Sequence, residues 1–115
     1  MTIQEEYIFN KLREGDEYAF RVIYKQYVPR LYYFVLEYVS QKDLAENIVQ
    51  DTMLTLWNKR ETLNDDTHLS AYLFTVAKNN CLYRLREMRY SKSRFVDEDV
   101  FNLEKSANVE ALEAL

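Results

Sequence analysis

This chain of 115 residues has only one glycine and one proline, Gly15 and Pro29. Because the turns of a sheet protein need such residues about every ten positions, their scarcity argues against an all-β fold and favours helices joined by short loops. A hydrophobic content of 48% argues against a disordered polymer. We therefore predict an all-α, single-domain, compact helical bundle of about four to five helices.

Cysteine and histidine are equally scarce. Cys81 is the only cysteine, which excludes an intramolecular disulfide and is typical of a protein in a reducing cytoplasm. The only histidine, His68, lies far from it in sequence, so the two do not form a metal-ligand motif. We expect no metal, no cofactor and a buried, unreactive Cys81.

Long apolar runs are also missing. No segment approaches the ~18 apolar residues of a membrane-spanning helix, and the first residues, MTIQEEYIF, are too polar and acidic for a signal peptide. The chain has no glycine-rich phosphate loop and no paired His and Cys nucleophile. We expect a cytoplasmic protein without membrane insertion that is not an enzyme.

The apolar spacing predicts a series of helices. Gly15 is suited to a left-handed stop after the first, and Asp16 to the N-cap of the second. Pro29 either begins a third helix or kinks one long helix. The predicted helices cover residues 3–14, 17–28, 29–39, 43–60 and 69–90, and residues 61–67 form the clearest loop. On the first helix the predicted apolar stripe consists of Ile3, Tyr7, Ile8 and Leu12.

Positive charge is concentrated near the end of the last predicted helix. Residues 75–94 carry six Lys or Arg against one acid, a balance of +5, whereas residues 1–74 sum to −4 and residues 95–115 to −5. A polyanion responds to such a local patch rather than to the average charge of the chain.

A helical wheel divides this last helix into two sides. The side expected to pack inward consists of Leu69, Leu73, Val76, Ala77, Cys81 and Met88. The opposite side carries Thr75, Lys78, Asn79, Leu82, Arg86 and Arg89. Its cations suit phosphates and its amide and hydroxyl suit base edges, although a basic helix end can also be an ordinary solvated face. Tyr72 is placed to stack on an unpaired base, and Arg84 falls toward the buried side, where we expect it to pair with an acid.

The fourth predicted helix exposes a different set of side chains. They are Asn47, Gln50, Asp51, Leu54 and Asn58. This mixture of amides, an acid and an exposed leucine suits a protein interface better than a nucleic acid, and an ordinary solvated face is the alternative.

In order, LREGDEYAFRVIYKQYVPRLYYFVLEYV, DLAENIVQDTMLTLWNKR and LSAYLFTVAKNNCLYRLR resemble region 2 of bacterial sigma factors of the extracytoplasmic-function group. The resemblance covers about residues 5–92. It implies binding to RNA polymerase core and recognition and melting of the promoter −10 element. It also implies an anti-sigma factor as a partner.

The resemblance assigns roles to three sets of residues. Docking on the clamp coiled coil of the polymerase β′ subunit would fall to Asn47, Gln50, Asp51, Met53 and Leu54. Contact with the non-template strand of the −10 element would fall to Tyr72, Thr75, Lys78, Asn79, Leu82, Arg86 and Arg89. A base-capture loop would consist of Leu63, Asn64, Asp65, Asp66, Thr67 and His68. Asn47 stands where an acid is commoner in the family, and Tyr72 where a tryptophan is usual.

Sigma factors of this group carry a second helical domain, region 4, with a helix-turn-helix. We expect residues 1–92 to form an isolated region 2 domain and residues 93–115 an acidic interdomain linker, with a weak helix over residues 108–115 as the exception. Two other functions remain open. One is a general single-stranded nucleic-acid-binding helical module, and the other a helical protein-interaction domain without nucleic-acid affinity.

Overall fold

The structure is a computed structural model that describes residues 2–95, with side chains described for residues 2–89. It contains α1 (Ile3–Arg13), α2 (Glu17–Val39), α3 (Lys42–Asn58), a 3-10 helix (Arg60–Thr62) and α4 (Leu69–Phe95). The all-α prediction is confirmed. The predicted linker covers residues 93–115, but α4 continues through its first three residues to Phe95. The rest of the predicted linker, with its weak helix, lies outside the described residues. Within the described range, no helix is both long and apolar enough to cross a membrane.

Short polar motifs set the ends of the first two helices. Thr2 and Glu5 form a reciprocal capping box at the start of α1, each side chain bonding the backbone amide of the other. Gly15 has φ 94°, a left-handed conformation in which a side chain would be strained. The carboxylate of Asp16 then accepts from the Ala19 amide at 3.0 Å and caps α2. The predicted stop and cap are both confirmed.

Helix α2 continues through Pro29, so the prediction of a separate helix beginning there is wrong and the alternative of one long helix is correct. Proline removes one backbone donor from a helix, a cost that packing can offset. Leu31 and Val35, just beyond the proline, are both 0% exposed. The helix ends instead at Ser40, which has φ 61° and donates its amide to the Leu36 carbonyl at 2.9 Å.

The helices pack side by side around one core. Phe20 on α2 meets Trp57 on α3 at a ring-centre distance of 5.2 Å, and Tyr24 on α2 meets Gln50 on α3, so α2 and α3 run antiparallel. Phe34 and Phe74 join α2 to α4 at 5.0 Å. The most deeply buried side chains come from all four helices and include Leu12, Leu31, Val35, Ile48, Leu56 and Leu73.

Two predicted apolar stripes need correction. On α1, Leu12 is buried, but Ile3 is 87% and Tyr7 60% exposed. The core instead receives Phe9, because α1 packs only through its second half. On α4 the buried residues follow a spacing of four and are Leu69, Leu73, Ala77, Cys81 and Leu85. Val76 and Met88, which were predicted to point inward, are only partly buried, since a stripe of that spacing drifts by about 40° per step around the helix.

Candidate functional site

One side of α4 carries all of the side chains predicted to contact DNA. At 100° per residue they fall within an arc of about 120°, opposite the buried stripe. Thr75, Asn79 and Arg86 are exposed, while Lys78 and Leu82 are partly exposed. Tyr72 and Arg89 are also partly exposed. We call these residues the α4 face.

Tyr72 stands at the start of the α4 face, where the preceding loop enters the helix. Its ring packs against the core, and burial raises the pKa of its phenol above the usual 10.0. Its backbone amide donates to the His68 carbonyl at 2.9 Å. The Tyr72 phenol is therefore uncharged at neutral pH, and its ring is held by the core at the junction of the loop and the α4 face.

Arg84 belongs to α4 but bonds α3. Its Nη2 donates to Asp51 Oδ2 at 3.2 Å and to Asn47 Oδ1 at 3.0 Å. The predicted pairing of Arg84 with an acid is confirmed. Its charge is therefore already partly balanced, and the described cations of the α4 face are Lys78, Arg86 and Arg89.

A second polar contact between the same helices was missed from the sequence. Thr52 is fully buried, donates to the Ile48 carbonyl at 2.8 Å and accepts from Asn80 Nδ2 at 3.2 Å. This bond holds Asn80 toward α3 and leaves its neighbour Asn79 facing outward. The signal was available, because a threonine on the apolar side of a helix needs a hydrogen-bonding partner.

Most of the residues predicted to dock on polymerase lie at the surface of α3, where bonds to neighbouring helices hold them. Gln50 Nε2 donates to the Tyr24 hydroxyl at 2.8 Å. Leu54 is 56% exposed and offers an apolar side chain at this surface. Met53 is 1% exposed, so the prediction that it contacts a partner at the surface is not supported by its placement. It follows Val49 by one helical turn and therefore falls on the buried side of α3.

A groove of about 400 Å³ runs between α2 and α3 beside this surface. Its lining is Glu17, Phe20, Arg21, Tyr24, Gln50, Met53, Leu54 and Trp57. Its apolar lining includes Met53 and Trp57, and its polar lining consists of charged and amide side chains. Together with Asn47 and Asp51, the exposed Gln50 and Leu54 make up what we call the α3 face.

The predicted base-capture loop is folded around one asparagine. Asn64 Oδ1 accepts from the Asp66 amide at 2.9 Å, and the Asn64 amide donates to Thr67 Oγ1 at 3.1 Å. The Thr67 amide in turn donates a hydrogen bond to the Asn64 carbonyl at 3.0 Å. The polar groups of Asn64 and Thr67 are thus used within the loop, whereas Asp66 and His68 remain exposed.

Arg13 on α1 anchors the same loop. Its guanidinium bonds the carboxylate of Asp65 and the side-chain amide of Asn10, and its Nη1 donates to the Leu63 carbonyl at 3.5 Å. Sequence reasoning missed Arg13, because 50 residues separate it from Leu63. The described residues contain no cluster of His, Cys, Asp and Glu that would hold a metal ion.

Comparison with known proteins identifies the family of the chain. The sequence model of sigma-70 region 2 matches residues 23–90. The chain is 29% identical over 87 residues to the ECF RNA polymerase sigma factor RpoE of Cereibacter sphaeroides, covering 75% of this chain and 46% of the relative. It is 28% identical over 89 residues to the RNA polymerase sigma factor CarQ of Myxococcus xanthus, covering 77% and 51%.

A third relative is the ECF RNA polymerase sigma factor SigL of Mycobacterium tuberculosis, 31% identical over 71 residues that make up 61% of this chain and 40% of the relative. The chain thus spans about half the length of the curated relatives it matches, or less. No solved structure gives a significant match.

Proposed function

Because the chain belongs to the sigma-70 region 2 family, we propose that it binds RNA polymerase core and recognises and melts the promoter −10 element in transcription initiation. The observation that carries this proposal is the pair of polar faces on two adjacent helices. The α3 face offers amides, an acid and an exposed leucine, and the α4 face offers cations with an outward asparagine. Arg84 joins the two faces through Asp51 and Asn47.

The α4 face suits the non-template strand. Lys78, Arg86 and Arg89 supply the charge that attracts phosphates, and Asn79, with Thr75 beside it, supplies donors and acceptors for base edges. A single strand exposes those edges once the duplex is open. Affinity would come from the cations, and sequence preference from Asn79.

The loop that precedes α4 suits the capture of an extruded base. Extrusion costs a few kcal/mol of lost stacking and pairing, which a preformed pocket offsets. The loop is preformed, since Asn64 folds it internally and Arg13 fixes it to α1. The exposed Asp66 and His68 remain available to a base, and Tyr72 offers a ring at the loop's junction with α4.

The α3 face suits the clamp coiled coil of the β′ subunit. Leu54 gives an apolar contact, and Gln50 and Asp51 give polar ones whose side chains are already oriented by Tyr24 and Arg84. Side chains ordered before binding lose less entropy when a partner arrives. Met53 would contribute indirectly, as part of the apolar lining of the α2–α3 groove.

The remaining parts of the proposal follow from the family. The module is not an enzyme, since catalysis belongs to the polymerase, and it acts in the cytoplasm. An anti-sigma factor is proposed as a partner without an assigned surface. Residues 1–92 are proposed as the region 2 domain and residues 93–115 as the linker.

Capture of RNA polymerase core on the immobilised chain tests the α3 face. We expect the double variant Gln50→Ala with Asp51→Asn to lose most of the capture. Glu37→Gln, which removes an equally exposed carboxylate from α2, is the matched control and should capture normally. Equal capture by both variants would contradict the docking role and favour a general nucleic-acid-binding module.

Binding of single-stranded oligonucleotides to the chain–polymerase complex tests the α4 face. The −10 sequence is first obtained by selecting a random pool on the wild-type complex. Asn79→Ala should reduce the preference for the selected strand over a scrambled one by roughly 5- to 100-fold, the value of one good base contact. The control Asn58→Ala, an exposed asparagine on α3, should leave that preference unchanged. An unchanged preference in Asn79→Ala would contradict the assignment, and absence of any binding at low salt would favour a protein-interaction domain.

A further inference from the structure

Helix α2 carries an arginine that is held against α4, outside both faces and the loop. The guanidinium carbon of Arg30 lies 5.2 Å from the ring centre of Tyr27 and 5.7 Å from that of Phe74. Phe74 directly precedes Thr75 on α4 and stands one turn before Lys78. Arg30 is thus an exposed cation at the border of the α4 face, contributed by a different helix.

The way Arg30 is held leaves it available to an anion. A cation–π contact uses none of the N–H donors of a guanidinium, and those donors can bond two oxygens of a phosphate. Among residues 2–89, no acid pairs with Arg30. Arg84 differs in this respect, since its guanidinium already donates hydrogen bonds to Asp51 and Asn47.

Arg30 also lines a groove that begins at the predicted base-capture loop. This groove of about 620 Å³ lies between α1, α2 and the start of α4, and its lining includes Gln26, Arg30, His68 and Ser70. His68 is the last residue of the loop and also lines the groove, so the loop and the groove adjoin. The acid in the lining is Glu5, whose carboxylate accepts from a backbone amide in the α1 capping box.

We infer that Arg30 binds a backbone phosphate of the promoter non-template strand, at the nucleotide next to the base captured by the loop. The strand path then continues from the α4 face onto α2 through this groove. The inference rests on the proposed function and deepens it, because it adds a phosphate contact from a helix that carries none of the predicted DNA-binding residues.

The salt dependence of oligonucleotide binding tests the inference directly. Each phosphate contact on a single strand contributes about −0.7 to the slope of log affinity against log salt. Arg30→Gln in the chain–polymerase complex should make the slope for the selected −10 strand less steep by about 0.7 and weaken binding about fivefold near 0.1 M salt. Arg30→Lys, which keeps the charge, should retain the slope. Lys25→Gln, which removes an exposed cation from the same helix, should not change it.

Neutral methylphosphonate linkages then locate the contact. Replacing the phosphate next to the captured base should weaken binding of the wild-type complex about fivefold, and it should have no further effect on Arg30→Gln. The same replacement should weaken the Lys25→Gln complex as much as the wild type.

The outcomes separate this inference from the proposed function. If the wild-type complex binds the −10 strand but Arg30→Gln keeps the wild-type slope, the phosphate contact is overturned and the proposed function stands. A loss of affinity without a change of slope would show a purely structural role for Arg30 and would also overturn the inference. If the wild-type complex does not bind the strand, the proposed function itself fails.

Discussion

The hydrogen bond between Thr52 and Asn80 should make a measurable contribution to the stability of the fold. Thr52→Val keeps the shape of a fully buried side chain and removes only its hydroxyl. The Ile48 carbonyl keeps its backbone bond within α3, so the main loss is the partner of Asn80 Nδ2 at 3.2 Å. A partly buried amide left without a partner costs about 1–3 kcal/mol, and the better burial of a methyl group offsets part of that. We expect the free energy of unfolding to fall by about 1–2 kcal/mol.

Urea denaturation followed by circular dichroism measures this change, and α3 provides a matched control. Thr55 makes the same type of bond to the carbonyl four residues before it, at 2.9 Å to Asp51, but has no partner on another helix. Thr55→Val should therefore cost less than about 0.5 kcal/mol. In a cycle with Asn80→Ala, the interaction energy of Thr52 and Asn80 should be about 1 kcal/mol. Equal costs for the two valine variants, with no interaction energy in the cycle, would refute the bond between α3 and α4.

Three further predictions concern the thiol, the loop and the ion pair. Burial raises the pKa of Cys81 to about 12 from 9.0. The stability that this shift represents is complete below pH 9 and is lost by about 1.4 kcal/mol per pH unit from pH 9 to 12. In urea titrations of Cys81→Ala the loss with pH should be smaller by that amount, and the raised pKa values of Tyr38 and Tyr72 should leave a remaining slope above pH 10. Arg13→Gln should speed amide hydrogen exchange in the base-capture loop, whereas Lys11→Gln should not, because only Arg13 bonds the loop. The interaction energy of Arg84 and Asp51 in a double-mutant cycle should be about 0.5–1 kcal/mol and should shrink in 1 M salt, since both groups are partly exposed; a value that salt leaves unchanged would contradict an electrostatic pair.

Local chemistry made much of the fold predictable from the sequence. Gly15 and Asp16 marked a helix boundary because their conformational and capping preferences act within a few residues. Pro29 gave a wrong prediction of a helix boundary, again because only its local preference was considered. Its preference is local, while the burial of Leu31 and Val35 that keeps α2 continuous depends on the neighbouring helices.

The candidate site likewise contains features that follow from local sequence and contacts that do not. Periodicity placed the α4 face on the side away from the core and Arg84 on the buried side, because both follow from the geometry of a single helix. The contact of Arg13 with the loop and that of Arg30 with Phe74 join residues distant in sequence. Periodicity carries no information on such pairs, since it does not say which helices become neighbours.

The proposed role in promoter recognition is tested most directly by the affinity of RNA polymerase core for the selected −10 non-template oligonucleotide, measured with and without the chain. We expect the core alone to bind the selected and scrambled strands equally, and the added chain to produce a clear preference for the selected strand. That preference should be lost in Asn79→Ala, whose side chain stands outward on the α4 face. A chain that binds the core yet gives it no preference between the strands would contradict recognition of the −10 element by this chain.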